Sequence, residues 1–183
     1  MSTLVKPASD PLRASGTSLW GLPGKVITSF SRVPHSAIAL LARLSVATTF
    51  WLSGQTKIEG LVLDPVGRTI ELGMPRISEG ALELFRSEYA LPLIPPQIAA
   101  VAAAAAEHVF PLLLLIGLAS RLSSLALLAM TLVIQVFVYP AAFATHGLWA
   151  VSMLYVIARG PGVVSLDHWI AGRYRARTVI RGD

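Results

Sequence analysis

A chain of 183 residues has the length of one ordinary domain, but 54% of its residues are hydrophobic, only 14% are charged, and the mean hydropathy is +0.65. This composition does not suit a water-facing surface and indicates an integral membrane protein. The chain has no cysteine, which excludes disulfides, thiolate metal sites and dithiol chemistry. The formal net charge is +5. In a membrane protein, basic residues usually reflect the orientation of the spans, so we expect no nucleic-acid partner.

The first 34 residues combine prolines, glycines and serines with four basic side chains. They contain no apolar run that is long enough to insert into a bilayer or to build a core. We therefore predict a flexible basic tail over residues 1–34. It is not expected to be a signal peptide, because the first long apolar run begins only near Ser36.

Four later stretches approach the length of about 20 apolar residues that a helix needs to cross a bilayer. They predict membrane spans at about 35–54, 96–118, 122–143 and 146–159. The last of them is the shortest and needs its flanking residues to complete the crossing. Because strand-like alternation is absent from these stretches, a β-barrel is disfavoured. The predicted fold class is all-α, an integral membrane four-helix bundle.

The distribution of lysine and arginine predicts the orientation of the spans. The tail, the link at Arg121 and the segment from Arg159 onward are basic, whereas the loop 55–95 carries four basic and six acidic residues. Basic segments stay on the cytoplasmic side. We therefore predict a bacterial inner-membrane protein with both termini in the cytoplasm and loop 55–95 outside, where lipid and other membrane or secreted proteins are its expected partners.

Two further helices are predicted outside the spans. In the outer loop, Ser78 is placed to cap an amphipathic helix that continues to Tyr89 and covers the outer mouth of the bundle. In the basic segment 160–183, Ser165 is placed to cap a helix with Trp169, Ile170 and Tyr174 beside arginines. That pattern is typical of an interfacial anchor on an anionic leaflet.

Arg43 and Glu107 are the charged residues nearest the midpoints of their predicted spans, the first and the second. A charge at such a depth is costly, so we expect both side chains to point inward and to touch. Two interpretations stay open: a pair that only sets helix register, or a catalytic or proton-handling site.

Polar and aromatic side chains gather at the predicted outer mouth of the bundle. They can hold a flat polar headgroup such as that of a quinone, or they can form an ordinary aromatic belt. Thr131, Gln135 and Tyr139 also form a polar stripe along the third span. No spacing predicts a metal site. The candidate ligand-binding residues are Trp51, Gln55, Lys57, Gln135, Tyr139 and His146.

The chain resembles the DoxX family of small bacterial four-span membrane proteins. The resemblance rests on "RLSVATTFWLSGQTK" from Arg43 to Lys57, on "EHVFPLLLLIGLASR" from Glu107 to Arg121, on His146, and on "ARGPGVVSLD" from Ala158 to Asp167. It extends over about residues 38–168, and the long insert between the first two spans departs from the usual family spacing.

The resemblance implies a membrane subunit of a redox or oxidative-stress assembly that faces a quinone or quinol, or that binds a partner protein. Relatives in this family include a subunit of a thiosulfate:quinone oxidoreductase. Family membership does not by itself make this chain an enzyme. Two alternatives remain: a non-enzymatic membrane scaffold, and a carrier of small solutes or metal ions that uses the same inward polar residues.

Overall fold

The computed structural model describes residues 33–64 and 67–180. The predicted flexible tail lies almost entirely outside the described residues. In chain order the elements are α1 (His35–Gln55), β1 (Ile58–Asp64), β2 (Thr69–Ile77), α2 (Glu79–Ser87), α3 (Pro96–Ile116), α4 (Ser120–Val133), α5 (Phe143–Arg159) and α6 (Leu166–Ile180). A π-helical turn, Ile134–Val138, extends α4, and a short 3-10 turn, Pro140–Ala142, precedes α5.

The predicted class, a helical membrane protein with four spans, is confirmed. Four helices in the described part of the chain are long and apolar enough to cross a membrane: His35–Gln55, Pro96–Ile116, Ser120–Val138 and Pro140–Arg159. Their shared core consists of apolar side chains of different sizes, including Val46 and Phe50 of α1 and Met153 of α5. Many large apolar side chains lie on the outside instead, such as Leu122 and Leu148, as a lipid-facing surface requires.

The fourth span begins earlier than the sequence pattern indicates. Its predicted range was 146–159, but the helical segment starts at Pro140 and contains 20 residues. Proline suits the first turn of a helix because its missing N–H has no intrahelical partner there. Tyr139, the residue before it, has an extended φ of −128° and ends the third span. The chain therefore turns at Tyr139, and the fourth span is long enough to cross the bilayer.

A two-stranded hairpin in the outer loop was not predicted. β1 and β2 pair antiparallel, with an irregularity between Glu59 and Leu61. Gly60 has a φ of +85°, and a Cβ there would lie 2.5 Å from the carbonyl oxygen of Met74, so only glycine fits this bulge. The sequence signal for the hairpin is a short alternation of apolar and other residues in β2, which is much shorter than a membrane span.

Both helices that were predicted outside the spans are present. Ser78 Oγ accepts the backbone N–H of Ala81 at 3.1 Å and caps α2. Phe85 of α2 packs against Ala99 and Ala100 of α3, so α2 lies on the bundle. At the other end of the chain, Ser165 Oγ accepts the N–H of His168 at 3.2 Å and caps α6.

Candidate functional site

Glu107 is paired with Lys57, deep in the protein. Glu107 is 2% exposed and Lys57 is 4% exposed, and 2.7 Å separates Lys57 Nζ from Glu107 Oε2. A buried carboxylate or ammonium is expensive unless it has an opposite charge and hydrogen bonds. The pair gives each buried charge an opposite charge, and it brings two ionisable side chains together beside α3.

The end of α1 brings Lys57 to that position. The backbone N–H of Lys57 donates to the carbonyl of Gly54 at 2.9 Å, which turns the chain back on the last turn of the helix. Lys57 Nζ then donates to the Ser53 carbonyl at 3.2 Å and to Ser53 Oγ at 3.1 Å, while Ser53 Oγ donates to Glu107 Oε1 at 3.3 Å. A cation at a helix C-terminus is favoured because the last carbonyls lack intrahelical partners.

The prediction that Arg43 and Glu107 touch is wrong. The helices α1 and α3 are antiparallel, and their register places Arg43 beside Leu114 but Gly54 beside Glu107. Arg43 and Gly54 are separated by roughly three turns, or about 16 Å along α1. Counting from the ends of each span assigned similar depths to the two charges, but this register separates them.

Arg43 instead joins the end of α3 to the link between α5 and α6. Its Nε donates to the carbonyl of Leu114 at 2.8 Å and its Nη2 to that of Leu115 at 2.9 Å. Its Nη1 donates to the carbonyls of Pro161 at 3.1 Å and Val164 at 2.7 Å. The guanidinium is 1% exposed and makes these contacts with uncharged main-chain oxygens. Such an arrangement stabilises the fold and offers no group that exchanges protons.

Gln55 and Trp51 connect the hairpin to the bundle. His108 Nδ1 lies 2.6 Å from the Ala104 carbonyl, so the hydrogen-bond pattern assigns the proton to this nitrogen. His108 Nε2 then accepts from Gln55 Nε2 at 2.8 Å, and Gln55 Oε1 accepts the N–H of Leu63 at 2.6 Å. Trp51 Nε1 donates to the Leu63 carbonyl at 2.8 Å, and its ring packs edge-on against His108. These contacts hold β1 in place.

A cavity of about 330 Å³ lies beside the Lys57–Glu107 pair. Its wall on α3 is formed by alanines, including Ala102, Ala103 and Ala106, whose small side chains leave the space open. Apart from the ionisable pair and Ser53, its lining is almost wholly apolar. A second cavity of about 350 Å³ near Trp51 has no ionisable side chain in its lining. The first cavity is therefore the better candidate for chemistry.

The cavity is covered by α2 and opens toward the apolar surface of the bundle. Phe85 and Tyr89 form its cover, with their rings 4.8 Å apart at 77°. Ile98 and Val133 also line it, and their side chains are 61% and 40% exposed on the lipid-facing surface. The cavity therefore reaches the apolar surface between α3 and α4, and Glu107 is part of its lining.

Tyr139 fastens this cover to the end of the third span. Its ring meets that of Tyr89 edge-on, 5.9 Å away, and its hydroxyl donates to the Glu88 carboxylate. The hydrogen bond to Glu88 raises the pKa of Tyr139 above its usual range. Burial likewise raises the pKa of Tyr89. Both phenols therefore stay neutral at physiological pH and hold the rim of the cavity.

Gln135 and His146 form a separate contact at the turn between the third and fourth spans. His146 Nδ1 lies 2.7 Å from Gln135 Oε1, while Gln135 Nε2 donates to the Pro140 carbonyl at 2.7 Å. Thr131, the next member of the predicted polar stripe, donates to Leu127 of its own helix at 2.8 Å. Thr131 and Gln135 are therefore directed at their own backbone and at the turn, and neither they nor His146 lines the cavity.

The candidate residues fall into four places. Lys57 and Glu107 meet at the cavity, and Tyr139 is at its rim; Trp51 and Gln55 hold the hairpin; Gln135 and His146 brace a turn; Arg43 is at the opposite end. Sequence reasoning missed Ser53 and the cavity-forming role of the alanines. The alanine run beside Glu107 was the available signal. Among the described residues, no group of three metal-ligating side chains of the His, Cys, Asp or Glu type comes together.

Comparison with protein families gives one match. The DoxX family model matches residues 38–140, which is more than half of the chain and contains Arg43, Lys57 and Glu107. His146 and the segment 158–167 lie beyond the matched residues. Neither the search of curated proteins nor that of solved structures found a match. The chain belongs to the DoxX family.

Proposed function

We propose that this protein is a membrane subunit of a redox or oxidative-stress assembly and that it binds a quinone or quinol in the cavity beside Lys57 and Glu107. One observation carries the proposal: an apolar cavity that opens toward lipid ends at a buried ion pair. An apolar cavity with a few convergent polar groups is the usual form of a small-molecule site, and ionisable groups within a membrane mark such sites.

The shape and polarity of the cavity fit a ring with a long apolar tail. A volume of about 330 Å³ accommodates a headgroup, and the opening between Ile98 and Val133 allows the tail to remain in the bilayer. The rings of Phe85 and Tyr89 offer apolar faces to a flat ligand. A soluble polar substrate would find little hydrogen bonding along these walls.

The ionisable pair supplies groups for binding and proton exchange. Lys57 Nζ can donate to a quinone oxygen in exchange for one of its bonds to Ser53, and Glu107 is a carboxylate that can give or take a proton. Reduction of a quinone to a quinol takes two electrons and two protons. Under this proposal the electrons come from a partner redox protein, and Glu107 passes protons to or from the bound ring.

The orientation that fits this role places the cavity on the outer side of the bacterial inner membrane. The hairpin, α2 and the cavity lie at the end of the bundle where α1 finishes, whereas Arg121 and Arg159 lie at the end where it begins. The concentration of arginine at that second end supports cytoplasmic termini. The partner that donates or accepts electrons would then approach from the outer face.

The test is quinone binding to the purified protein in lipid nanodiscs. Ala106→Leu fills part of the cavity with a larger side chain, and Ala105→Leu makes the same substitution at an exposed position of α3 that does not line it. We expect a short-chain quinone to bind the wild type and Ala105→Leu equally, and to bind Ala106→Leu at least about tenfold more weakly, because the ring no longer fits.

Thermal unfolding of both variants provides the control for folding. Equal binding by both leucine variants would place any quinone outside this cavity. Absence of saturable quinone binding by the wild type would contradict the proposal and would favour the scaffold alternative.

A further inference from the structure

The end of the bundle opposite to the quinone cavity contains a larger recess. Its volume is about 690 Å³, and it lies between the start of α1, the start of α4, the α5–α6 link and α6. Three arginines line it, Arg121, Arg159 and Arg175, together with two histidines, His35 and His168. Asp167 is the carboxylate in the lining.

The charge of Asp167 is already engaged by the start of α4. Its Oδ1 accepts the N–H of Ala119 at 2.8 Å, and its Oδ2 accepts the N–H of Ser120 at 2.9 Å. A carboxylate at a helix N-terminus is stabilised by these unpaired N–H groups and by the helix dipole. Among the described residues, neither Arg121 nor Arg159 forms an ion pair with a carboxylate. The recess is therefore positively charged.

The surroundings of the recess indicate its depth in the membrane. Val163, in its lining, is 58% exposed, and the neighbouring Val164 is 60% exposed. Trp169 of α6 is 53% exposed, with the guanidinium of Arg173 3.8 Å from the centre of its ring. Exposed apolar side chains next to tryptophan and arginine are typical of the boundary between lipid tails and headgroups. These surroundings are the ones expected where arginines face lipid phosphates.

We propose that this recess binds the phosphate headgroup of an anionic phospholipid, with Arg121 and Arg159 as its phosphate ligands. Guanidinium groups offer several N–H donors in a planar arrangement that matches phosphate oxygens. Basic recesses between membrane helices are suited to such headgroups. A bound lipid would fasten α6 and the α4 end of the bundle to the bilayer surface, independently of the quinone cavity.

Native mass spectrometry of the detergent-purified protein tests this proposal. The probes are phosphatidylglycerol, phosphatidylcholine and inorganic phosphate, each added at increasing concentration. We expect phosphatidylglycerol to remain bound and phosphatidylcholine to be lost. Inorganic phosphate at millimolar concentration should fail to displace the lipid, since the acyl chains contribute most of the affinity for the micelle-embedded protein.

Matched variants identify the ligands. Each arginine that contacts the phosphate should contribute about fivefold to the retention of an anionic lipid, so Arg121→Gln with Arg159→Gln should weaken phosphatidylglycerol binding by about 30-fold. Replacing both residues by lysine keeps the charge but loses the planar set of donors, so binding should fall between that of the wild type and that of the glutamine variant. Arg173→Gln removes one charge from α6 outside the recess and should have little effect.

Three results would overturn the proposal. Equal retention of phosphatidylcholine would show that the recess does not select an anionic headgroup. An equal loss in Arg173→Gln and in the Arg121 and Arg159 double variant would show a diffuse effect of charge. Displacement of the lipid by inorganic phosphate would assign the recess to a free phosphate instead of a lipid.

Discussion

Among the described residues, two basic side chains of lysine or arginine are buried, one toward each end of the bundle, and their partners differ in kind. Arg43 donates to four main-chain carbonyls, from the end of α3 and from the α5–α6 link. Lys57 meets a side-chain carboxylate, Glu107, beside a cavity. The planar guanidinium, with five N–H donors in fixed directions, suits several acceptors at once, whereas an ammonium acts as a compact point charge.

The comparison separates a structural charge from a candidate functional one. Carbonyl oxygens cannot take up a proton under physiological conditions, so the Arg43 cluster has a single protonation state. A carboxylate and an ammonium can each change protonation, and the cavity gives a ligand access to them. Burial of a charge in the membrane is therefore insufficient to identify a site, and the chemistry of its partners decides between the two roles.

The largest expected effect is the loss of stability in Arg43→Met. This change leaves four buried or half-buried carbonyls without their shared donor and removes the connection between α3 and the α5–α6 link. We expect a loss of about 3 to 5 kcal/mol in the free energy of unfolding. Thermal unfolding in detergent measures it. The control is Arg86→Met, which removes an exposed arginine and should cost no more than about 0.5 kcal/mol.

A stable Arg43→Met protein that has lost quinone binding would contradict the structural role assigned to Arg43. It would show that Arg43 acts at a site and that the four carbonyls find other donors. A destabilised Arg43→Met variant that still binds quinone would support a structural role for Arg43.

A smaller effect is expected from separating the ion pair at the other end. Glu107→Gln leaves the Lys57 ammonium buried without its counterion, and Lys57→Met leaves the carboxylate in the same position. Each group can shed its charge by changing protonation, which limits the loss for either single variant to about 2 to 4 kcal/mol. Replacing both residues removes the charges together and should cost less than the sum of the two.

Stability and quinone binding should respond differently in this double-mutant cycle. The double variant should recover part of its stability but no binding, because the polar groups at the inner end of the cavity are gone. Strictly additive losses of stability would show that Lys57 and Glu107 do not interact. Full quinone binding by the double variant would show that the ion pair is not part of the quinone site.

The four spans could be predicted because each consists of a long apolar run, and the caps at Ser78 and Ser165 because capping is local in sequence. The partner of Glu107 could not be predicted. It depends on the register between α1 and α3, which is set by contacts such as that of Gly54, where a Cβ would lie 2.8 Å from His108 Cε1. Such packing has no signature in either helix alone.

The residues of the candidate site were predicted only in part, because some carry a local sequence signal and others depend on packing. Lys57 and Glu107 stood out as ionisable residues in or next to spans, and Tyr139 as an aromatic residue at the outer mouth. The hairpin between β1 and β2 withdraws Trp51 and Gln55 from the cavity, and it was not predicted. The helix that ends near Tyr89 was predicted to cover the outer mouth, but the contacts by which Phe85 and Tyr89 line the cavity depend on how α2 packs on α3.

The smallest effect concerns the contact that fastens the cover of the cavity. Tyr139 donates to Glu88, and this hydrogen bond raises the pKa of the phenol. Because the folded pKa is raised, the stabilisation is fully present below the ordinary tyrosine value of about 10 and disappears as pH rises through the higher folded pKa. Quinone retention should therefore stay constant through neutral pH and decline only in strong alkali, where the phenolate and Glu88 repel each other.

Phenolate absorbance against pH measures this contact directly. Tyr139→Phe should remove a titration step that lies above pH 10, and Glu88→Gln should move that step down, since the carboxylate that holds the proton is gone. Burial also raises the pKa of Tyr89, so Tyr89→Phe identifies the step that belongs to its neighbour. Because Tyr139 is 38% exposed, solvent screening keeps the effect on stability small. If Tyr139→Phe instead removes a step at the ordinary value, the hydroxyl does not donate to Glu88 in solution, and α2 is held on the bundle by apolar packing such as that of Phe85.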